Sequence, residues 1–404
     1  MSDMRNQASR VSEFTVPSNV KIIGERTFRG LDNLKKVVIS EGVTVIDNRA
    51  FDKCTNLEEI VFPSTLKIIG NFAFKECFKL KEVNFPESLA SIGNLAFYDC
   101  KSIKKVVIPE SMNSIGYYVF DGCASLEEVV LPDTIESMDL FAFANCPKLT
   151  EVEIPSKLEL LGGFAFSNCT GIKSITLPAT IKKIGRCAFE GTTSLEEIII
   201  PETLTEINEY AFDGAIGLKS LFLPKAIEKI GKYAFVNCNS LEEIVVEEGN
   251  VAYTSEDGVL YNKDQTTLLR CPPGKTEVTI SDKVKEIGNR AFLGCAKLKS
   301  IKLPESVEVI GVQAFEGCIK LENLKIPSKV RFIGPSAFNM CRHLETMTLP
   351  NGLELMGKGA FAGCWRLESI TTPFVGQNSI ENSYLGFWFG ANSYFENAAS
   401  VRRI

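Results

Sequence analysis

Residues 57–77 read LEEIVFPSTLKIIGNFAFKEC, and the pattern of these residues recurs every 23 residues along the chain. One phenylalanine occupies the same position in each repeat. It stands at Phe28, Phe51, Phe74, Phe97, Phe120, Phe143, Phe166, Phe189, Phe212 and Phe235, and then, after an interval of 57 residues, at Phe292, Phe315, Phe338 and Phe361. A fixed period of this length is typical of a solenoid, in which each coil buries its apolar face against its neighbours. The sequence therefore predicts one repeat domain whose function lies on an exposed face.

Within one coil, numbered with Leu57 at position 1, apolar residues first alternate with a period of two. Ile60 and Phe62 lie at positions 4 and 6, and Pro63 follows at position 7. This alternation indicates a strand with one buried face. The proline column marks the end of the strand, because proline has no N–H to donate to a ladder. Stacked coils of this kind predict a parallel sheet along one side of the solenoid.

Glycine at position 14, as in Gly70, predicts a sharp corner on the return side of each coil. Only Gly, Asp or Asn occupies this position in the coils that carry the phenylalanine, and these types best tolerate a left-handed backbone. A short helical turn is then expected to carry Ala73, Phe74 and Cys77, with the phenylalanines stacked in one interior column. Strands on one side and helical turns on the other predict an α/β repeat solenoid.

Most of the thirteen cysteines fall at position 21, from Cys54 to Cys364. Coils in register lie about 4.8 Å apart, which would hold neighbouring cysteines slightly too far apart for disulfides. We therefore expect buried free thiols that pack as small apolar groups. A metal array is the alternative, but the chain has no CxxC pair and only one histidine, His343.

Composition and motifs exclude several classes of function. A net charge of −6, from 44 basic and 50 acidic residues, gives no electrostatic footprint for nucleic acid or anionic lipid. The apolar runs are short, strand-like pieces such as residues 198–200, so no segment could span a bilayer and no direct membrane insertion is expected. His343 stands at a variable position, and no phosphate-binding loop or HExxH motif is present. The sequence therefore predicts neither an enzyme nor a bound cofactor or metal.

The unit L-x-x-I-x-F-P-x-x-L-x-x-I-G-x-x-A-F-x-x-C resembles the BspA-type leucine-rich repeat, and the resemblance covers residue 11 to about residue 373. It implies a leucine-rich-repeat horseshoe with a concave parallel β-sheet and short helical turns on the return side. Residues 241–274 resemble an irregular coil of 34 residues, in which residues 258–261 and 266–270 are expected to form a hairpin. We assign residues 11–373 to the solenoid.

Segments outside the solenoid differ in composition. Residues 1–10 are polar, without the apolar core of a secretory signal, and are expected to be disordered. Residues 374–404 are rich in aromatics and are expected to cap the last coil. The aromatic residues of this tail are Tyr384, Phe387, Trp388, Phe389, Tyr394 and Phe395. The resemblance also implies that more chain follows such a segment in bacterial members, so the tail is expected to be truncated.

The resemblance implies a binding role at a cell surface or outside the cell. Members of the family adhere to host proteins, to matrix or to other cells, so the expected partner is a protein, with a glycan as the lesser alternative. A second hypothesis is an intracellular interaction scaffold or regulatory subunit in the cytoplasm, which the polar N-terminus and the free thiols favour. The sequence predicts no oligomeric state.

Two rows of outward side chains on the predicted sheet form the candidate binding site. Position 3 is acidic in many coils, and position 5 is often apolar. The candidate partner-binding residues are Val107, Glu128, Val130, Glu151, Glu197, Ile199, Phe222, Glu243 and Val245. Contiguous exposed apolar area marks an interface, and Phe222 is the strongest candidate because a large exposed aromatic is a typical hot spot. The alternative is that valine and isoleucine are there for their strand propensity alone.

Overall fold

The structure, a computed structural model, describes residues 2–380 and 384–390. The chain divides into two compact units. Unit 1 comprises Met1–Ile216 and Lys229–Phe235, and unit 2 comprises Gly217–Glu228 and Val236–Ile404. Each unit is a stack of coils joined by parallel strands, which confirms the predicted solenoid with a parallel sheet.

The regular elements are short and are numbered from the N-terminus. The chain begins with helix α1 (Ser2–Ala8). The strands up to residue 216 are β1 (Glu13–Val16), β2 (Ile22–Ile23), β3 (Lys36–Ile39), β4 (Val45–Ile46), β5 (Glu59–Val61), β6 (Ile68–Ile69), β7 (Ser91–Ile92), β8 (Lys105–Val107), β9 (Ser114–Ile115), β10 (Glu128–Val130), β11 (Ser137–Met138), β12 (Leu160–Leu161), β13 (Ser174–Thr176), β14 (Lys183–Ile184), β15 (Glu197–Ile199) and β16 (Glu206–Ile207). The later strands are β17 (Ser220–Leu223), β18 (Lys229–Ile230), β19 (Glu243–Val246), β20 (Tyr253–Glu256), β21 (Val259–Asn262), β22 (Thr267–Arg270), β23 (Glu286–Ile287), β24 (Val309–Ile310), β25 (Phe332–Ile333), β26 (Thr346–Thr348), β27 (Leu355–Met356) and β28 (Ser369–Thr371). A 3₁₀ helix at Leu385–Phe389 follows.

Two ladders of parallel strands run through unit 1. The front ladder uses positions 3–5 of each coil, as in β8 and β10, where Lys105 pairs with Glu128. The back ladder uses positions 12–13, as in β4 and β6, where Ile46 pairs with Ile69. The sequence analysis predicts only the front ladder, because a strand of two residues leaves no alternation to detect.

Unit 2 repeats this arrangement around the irregular coil. Its front ladder consists of the pairs β17–β19 and β26–β28, and its back ladder is the series β22, β23, β24, β25 and β27. The irregular coil adds β20 and β21, which pair antiparallel, and β21 pairs antiparallel with β22. The hairpin expected within residues 241–274 is therefore present, with one strand more than expected.

The return side of each coil holds tight turns, so the predicted helical turns are wrong. Apart from α1 and the 3₁₀ helix, the described residues contain no helix. Positions 16 and 20 have positive φ angles, 58° at Phe72 and 59° at Glu76, which a right-handed helix cannot include. Instead, successive backbone N–H groups in the turn donate alternately to a carbonyl of the next coil and to a carbonyl of their own coil. The N–H of Phe74 donates to the carbonyl of Ala96 in the next coil at 2.7 Å, and the N–H of Ala73 donates within its own turn.

Close packing favours glycine at position 14 in most coils, and no left-handed corner is present there, which corrects the sequence analysis. Gly70 has no positive φ angle, but a Cβ atom there would lie 2.7 Å from the backbone N of Asn48 in the preceding coil. The residues that do have a left-handed backbone conformation include some with large side chains, such as Leu95 and Tyr118. Their conformation costs about 1–2 kcal/mol per residue. It allows hydrogen bonds between coils, such as that from the N–H of Tyr118 to the carbonyl of Leu140 at 3.0 Å.

The phenylalanine and cysteine columns form the interior of each unit. The rings of Phe51 and Phe74 stack with centroids 5.0 Å apart and an interplanar angle of 5°, and both are fully buried. Most cysteines of the column donate the thiol to the phenylalanine carbonyl of the preceding coil, as Cys77 does to Phe51 at 3.2 Å. Cysteine suits this place because it is a small apolar group that is also a weak donor. All thirteen cysteines are free and buried, in agreement with the expected thiols.

We expect the native protein to hide its thirteen cysteines from thiol reagents. Burial raises the pKa of Cys54 and of Cys364 to about 12, so at pH 8 the reactive thiolate is almost absent. Ellman's reagent should titrate almost no thiol in native buffer and all thirteen in guanidinium chloride without reductant. Because Cys54 and Cys364 keep their protons above the ordinary pKa of 9.0 when folded and lose them when unfolded, the free energy of unfolding should also fall between pH 9.0 and about 12. Fast titration of the native protein would contradict the buried column, and a shortfall in denaturant would reveal a disulfide.

Asn250 fixes the irregular coil to its neighbour. It takes position 10, which holds a buried aliphatic residue such as Ile227 in the coil before it. Its side-chain amide donates to the carbonyls of Pro224, Lys225 and Ile227 at 3.3, 3.2 and 2.9 Å. Its side-chain oxygen accepts from the N–H of Tyr253 at 2.8 Å. The polar side chain is thus fully satisfied in a buried place, and it holds the start of β20.

Helix α1 lies where the sequence analysis expects disorder. Ala8 is fully buried, and the Arg5 guanidinium donates to the carbonyl of Thr27 at 3.0 Å. The side-chain amide of Asn33 donates to the carbonyl of Ala8 at 2.8 Å. These contacts attach α1 to the first coils of unit 1, because the end of a repeat stack must be covered by a segment of different composition.

Trp388 covers the last coil of unit 2. It is fully buried, and its Nε1–H donates to the carbonyl of Gly376 at 2.5 Å. Its ring meets that of Phe361 edge-on, with centroids 6.2 Å apart. Tyr394 and Phe395, which the sequence analysis places in the same cap, lie outside the described residues.

Candidate binding face

The front ladder of unit 1 turns positions 3 and 5 outward. Across β8 and β10, Val107 lies beside Val130, and Lys105 lies beside Glu128. Val107 and Val130 expose 45% and 42% of their surface. A further bridge joins Glu128 to Glu151. The structure therefore brings four of the predicted binding residues together on one exposed patch, two of them apolar and two acidic.

The apolar row of unit 1 is not continuous. Glu153 and Thr176 take position 5 in the next two coils, and Ile199 pairs with Thr176 while Glu197 pairs with Ser174. Ile199 is exposed, but its front-ladder partner is polar. The structure therefore places Ile199 and Glu197 apart from the Val107 and Val130 patch, and the predicted strip is broken at two coils.

Unit 2 presents the remaining predicted residues on β17 and β19. Phe222 lies beside Val245, and Ser220 lies beside Glu243. Phe222 is 50% exposed, and Val245 beside it is also exposed. An aromatic ring in this position can contribute a large contact area at low cost in side-chain entropy.

Charges on the front ladder are only partly balanced. The ammonium group of Lys105 lies 2.7 Å from the carboxylate of Glu128, and such an exposed pair contributes at most about 1 kcal/mol to stability. Glu151, Glu197 and Glu243 form no ion pair with any residue that the structure describes. These carboxylates give the face an acidic character that would speed the approach of a basic partner.

Sequence reasoning missed a second group of exposed apolar residues, on the return side of unit 1. Tyr117 and Leu140 lie at position 15 and are exposed. In earlier coils this position holds asparagine, and the side chain of Asn71 accepts from the N–H of Asn94 at 2.8 Å. The side chain of Asn94 accepts from the N–H of Tyr117 at 3.1 Å. The signal in the sequence is the point where the asparagine column stops.

The turn Asp257-Gly258 was also missed, and it lies beside the front ladder of unit 2. Gly258 has a φ of 68°, and its carbonyl accepts from the N–H of Ile244 in β19 at 2.9 Å. Asp257 pairs with Lys275 at 3.4 Å. The signal was an Asp-Gly dipeptide between two strand-like runs, which is typical of a hairpin turn.

Reactive groups are sparse on these faces. His343 is half-buried in the turn after Cys341. Among the described residues, no group of three or more His, Cys, Asp or Glu side chains is arranged to hold a metal ion. Within residues 2–380 and 384–390, no helix combines the length and the apolar character that a membrane crossing requires. The arrangement offers contact area and charge for recognition.

Comparison with known proteins identifies the same type of repeat that the sequence and the structure show. The family described as "BspA type Leucine rich repeat region (6 copies)" matches residues 5–123, 44–173, 91–212, 162–268 and 271–385. A leucine-rich repeat protein from Bacteroides ovatus ATCC 8483 is similar at 30% identity over 89% of this chain and 78% of that chain, with a TM-score of 0.55. The pneumococcal vaccine antigen PcpA is similar at 26% identity over 67% of this chain and 72% of that chain, with a TM-score of 0.60. A search of the curated proteins found no match.

Proposed function

The chain belongs to the BspA-type leucine-rich repeat family, and from this premise we propose that it is a non-enzymatic module that binds a protein through the outward face of its front ladder. The observation that carries the proposal is the exposure of apolar side chains at position 5, above all Phe222 and the pair Val107 and Val130. Isolated exposed valines are ordinary. A half-exposed phenylalanine beside an exposed valine on a strand pair supports an interface at this place, because aromatic residues are enriched at protein interfaces.

The proposed role of this binding is adhesion at a cell surface, with a host or matrix protein as the partner. The similarity to a pneumococcal vaccine antigen supports this location. The thiols are neutral on this question, because burial protects them from oxidation in any compartment. The acidic carboxylates of Glu151 and Glu243 support a partner with basic residues at its contact surface.

Val130→Asp and Phe222→Asp are each expected to weaken capture of a partner by at least about tenfold, which corresponds to about 1.4 kcal/mol. A buried contact with an apolar partner surface would then have to desolvate a carboxylate. The measurement is surface plasmon resonance of the full chain against a panel of purified matrix proteins and host surface proteins. The two variants are tested separately, because they lie in different units.

Ile68→Asp is the matched control for these variants. Ile68 is also an exposed apolar strand residue of unit 1, but it lies on the back ladder. Its variant should keep the affinity of the wild type. If all three variants bind the same partner with the affinity of the wild type, the binding site lies away from the front ladder and the proposal is refuted.

A further inference from the structure

The turn Asp257-Gly258 takes the place of a neighbouring strand along one side of β19. In addition to the bond from Ile244 to Gly258, the N–H of Val246 donates to the side-chain oxygen of Ser255 at 2.8 Å. A Cβ atom on Gly258 would lie 2.8 Å from the Cβ of Glu243, so only glycine lets the turn approach the ladder this closely. The irregular coil thus builds a wall beside the front ladder of unit 2.

A cavity of about 550 Å³ lies against this wall. It is lined by Ser220 and Glu243 of the front ladder, by Glu242 directly before β19, by Asp257 of the irregular coil and by Lys275 directly after that coil. A second cavity, of about 420 Å³, adjoins the same Asp257 and Lys275. Both cavities are therefore products of the irregular coil, and the regular coils that surround it have no equivalent turn.

The charges around the cavity favour a cationic occupant. Its lining carries the three carboxylates of Glu242, Glu243 and Asp257 and the two ammonium groups of Lys219 and Lys275, so that its net charge is negative by one. One ammonium group, that of Lys275, is already paired with Asp257, and its side chain is only 15% exposed. Glu242 and Glu243 form no ion pair with any described residue. The adjoining cavity adds the carboxylates of Glu256 and Glu277 and no further cation.

Exposed apolar residues lie next to the cavity on the same strands. Phe222 follows Ser220 by two residues in β17, and Val245 follows Glu243 by two residues in β19. Residues two apart in a strand point to the same face and are separated by about 7 Å. An extended partner segment with a basic residue and an apolar residue two positions apart has the same spacing.

We infer that the cavity beside Glu242 and Glu243 receives a lysine or arginine side chain of a protein partner while an apolar residue of the same segment packs on Phe222 and Val245. This inference rests on the proposed function and specifies the chemistry of the partner. The irregular coil supplies specificity at this point of the face, because a basic side chain is accepted and an acidic one is repelled.

The test is selection of a random peptide library, displayed on phage, on the full chain. Enriched peptides are expected to carry arginine or lysine two positions from an aromatic or aliphatic residue. One such peptide, synthesised and measured by fluorescence anisotropy, should bind Glu242→Gln/Glu243→Gln about tenfold more weakly than wild type, because the side-chain amides carry no negative charge to attract the basic side chain of the peptide. The control is Glu228→Gln/Glu308→Gln, which removes two exposed glutamates at position 11 of unit 2 and should leave the affinity unchanged.

Phe222→Ser separates this inference from the proposed function. Peptides that lose affinity for Phe222→Ser but bind the glutamine double variant as wild type would refute the cavity and leave the binding face in place. Peptides that bind every variant equally would contradict both. Enriched peptides without a basic residue, or a selection without enrichment, would also overturn the inference. Thermal melts of all variants establish that each remains folded.

Discussion

Phe143→Ala is expected to lower the free energy of unfolding by about 3–5 kcal/mol, the range found for truncation of a fully buried phenylalanine. The Phe143 ring is inaccessible to solvent. It stacks on Phe120 at 5.4 Å and on Phe166 at 5.9 Å, nearly parallel to both. Its removal therefore leaves a cavity between two coils and ends the aromatic column there. Urea denaturation followed by circular dichroism measures the loss.

Phe222→Ala is the control, because it removes the same side chain from a half-exposed site. Its effect on stability should be much smaller, since about half of the side chain stays in contact with water in the folded protein. Equal midpoints for the wild type and Phe143→Ala would show that the phenylalanine column does not support the stack.

Gly357→Ala is expected to destabilise unit 2 by about 3 kcal/mol, the upper part of the range for overpacking. A Cβ atom at this position would overlap the backbone N of Pro335 and the carbonyl C of Gly334 in the preceding coil. These are backbone atoms held by a ladder, and they cannot rotate away as a side-chain end can. The two coils would have to separate locally, with lengthening of the hydrogen bond from the N–H of Gly357 to the carbonyl of Ile333, now 2.8 Å.

Gly352→Ala provides the comparison within the same coil. A Cβ atom there would have one neighbour, the carbonyl oxygen of Ser328 at 3.7 Å, so alanine should be neutral or slightly stabilising. Both variants can be followed by differential scanning calorimetry. A melting temperature of Gly357→Ala equal to that of Gly352→Ala would remove close packing as the reason for glycine at position 14.

The parts of the fold that depend on burial could be predicted from the sequence. The phenylalanine and cysteine columns and the strand at positions 3–5 follow from apolar residues at a fixed period, and the structure contains all three. The helical turn could not be excluded in this way, because an aromatic at position 16 such as Phe72 gives no sign of a positive φ angle. Large side chains adopt that conformation only where hydrogen bonds to a neighbouring coil require it.

The sequence predicts an apolar row beside an acidic row on the sheet, and the structure exposes the individual residues but interrupts the apolar row. Exposure of Val130, Ile199 and Phe222 follows from alternation along each strand. The separation of Ile199 from the Val107 and Val130 pair depends on two intervening coils with polar residues at position 5. The cavity beside Glu243 depends on the turn Asp257-Gly258, which follows later in the same irregular coil, and no pattern within β19 itself reveals it.

The repeated hydrogen bonds between regular coils bear on how the number of coils can change in evolution. Each regular coil offers the next the same donors and acceptors, from Phe74 to Ala96 in one coil and from Phe97 to Val119 in the next. Unequal recombination that deletes or duplicates one such 23-residue segment therefore rejoins matching surfaces. Lineages can lengthen or shorten the array in whole coils without loss of register. Helix α1, the irregular coil and Trp388 have unique contacts, so these three are the landmarks that such exchange must leave in place.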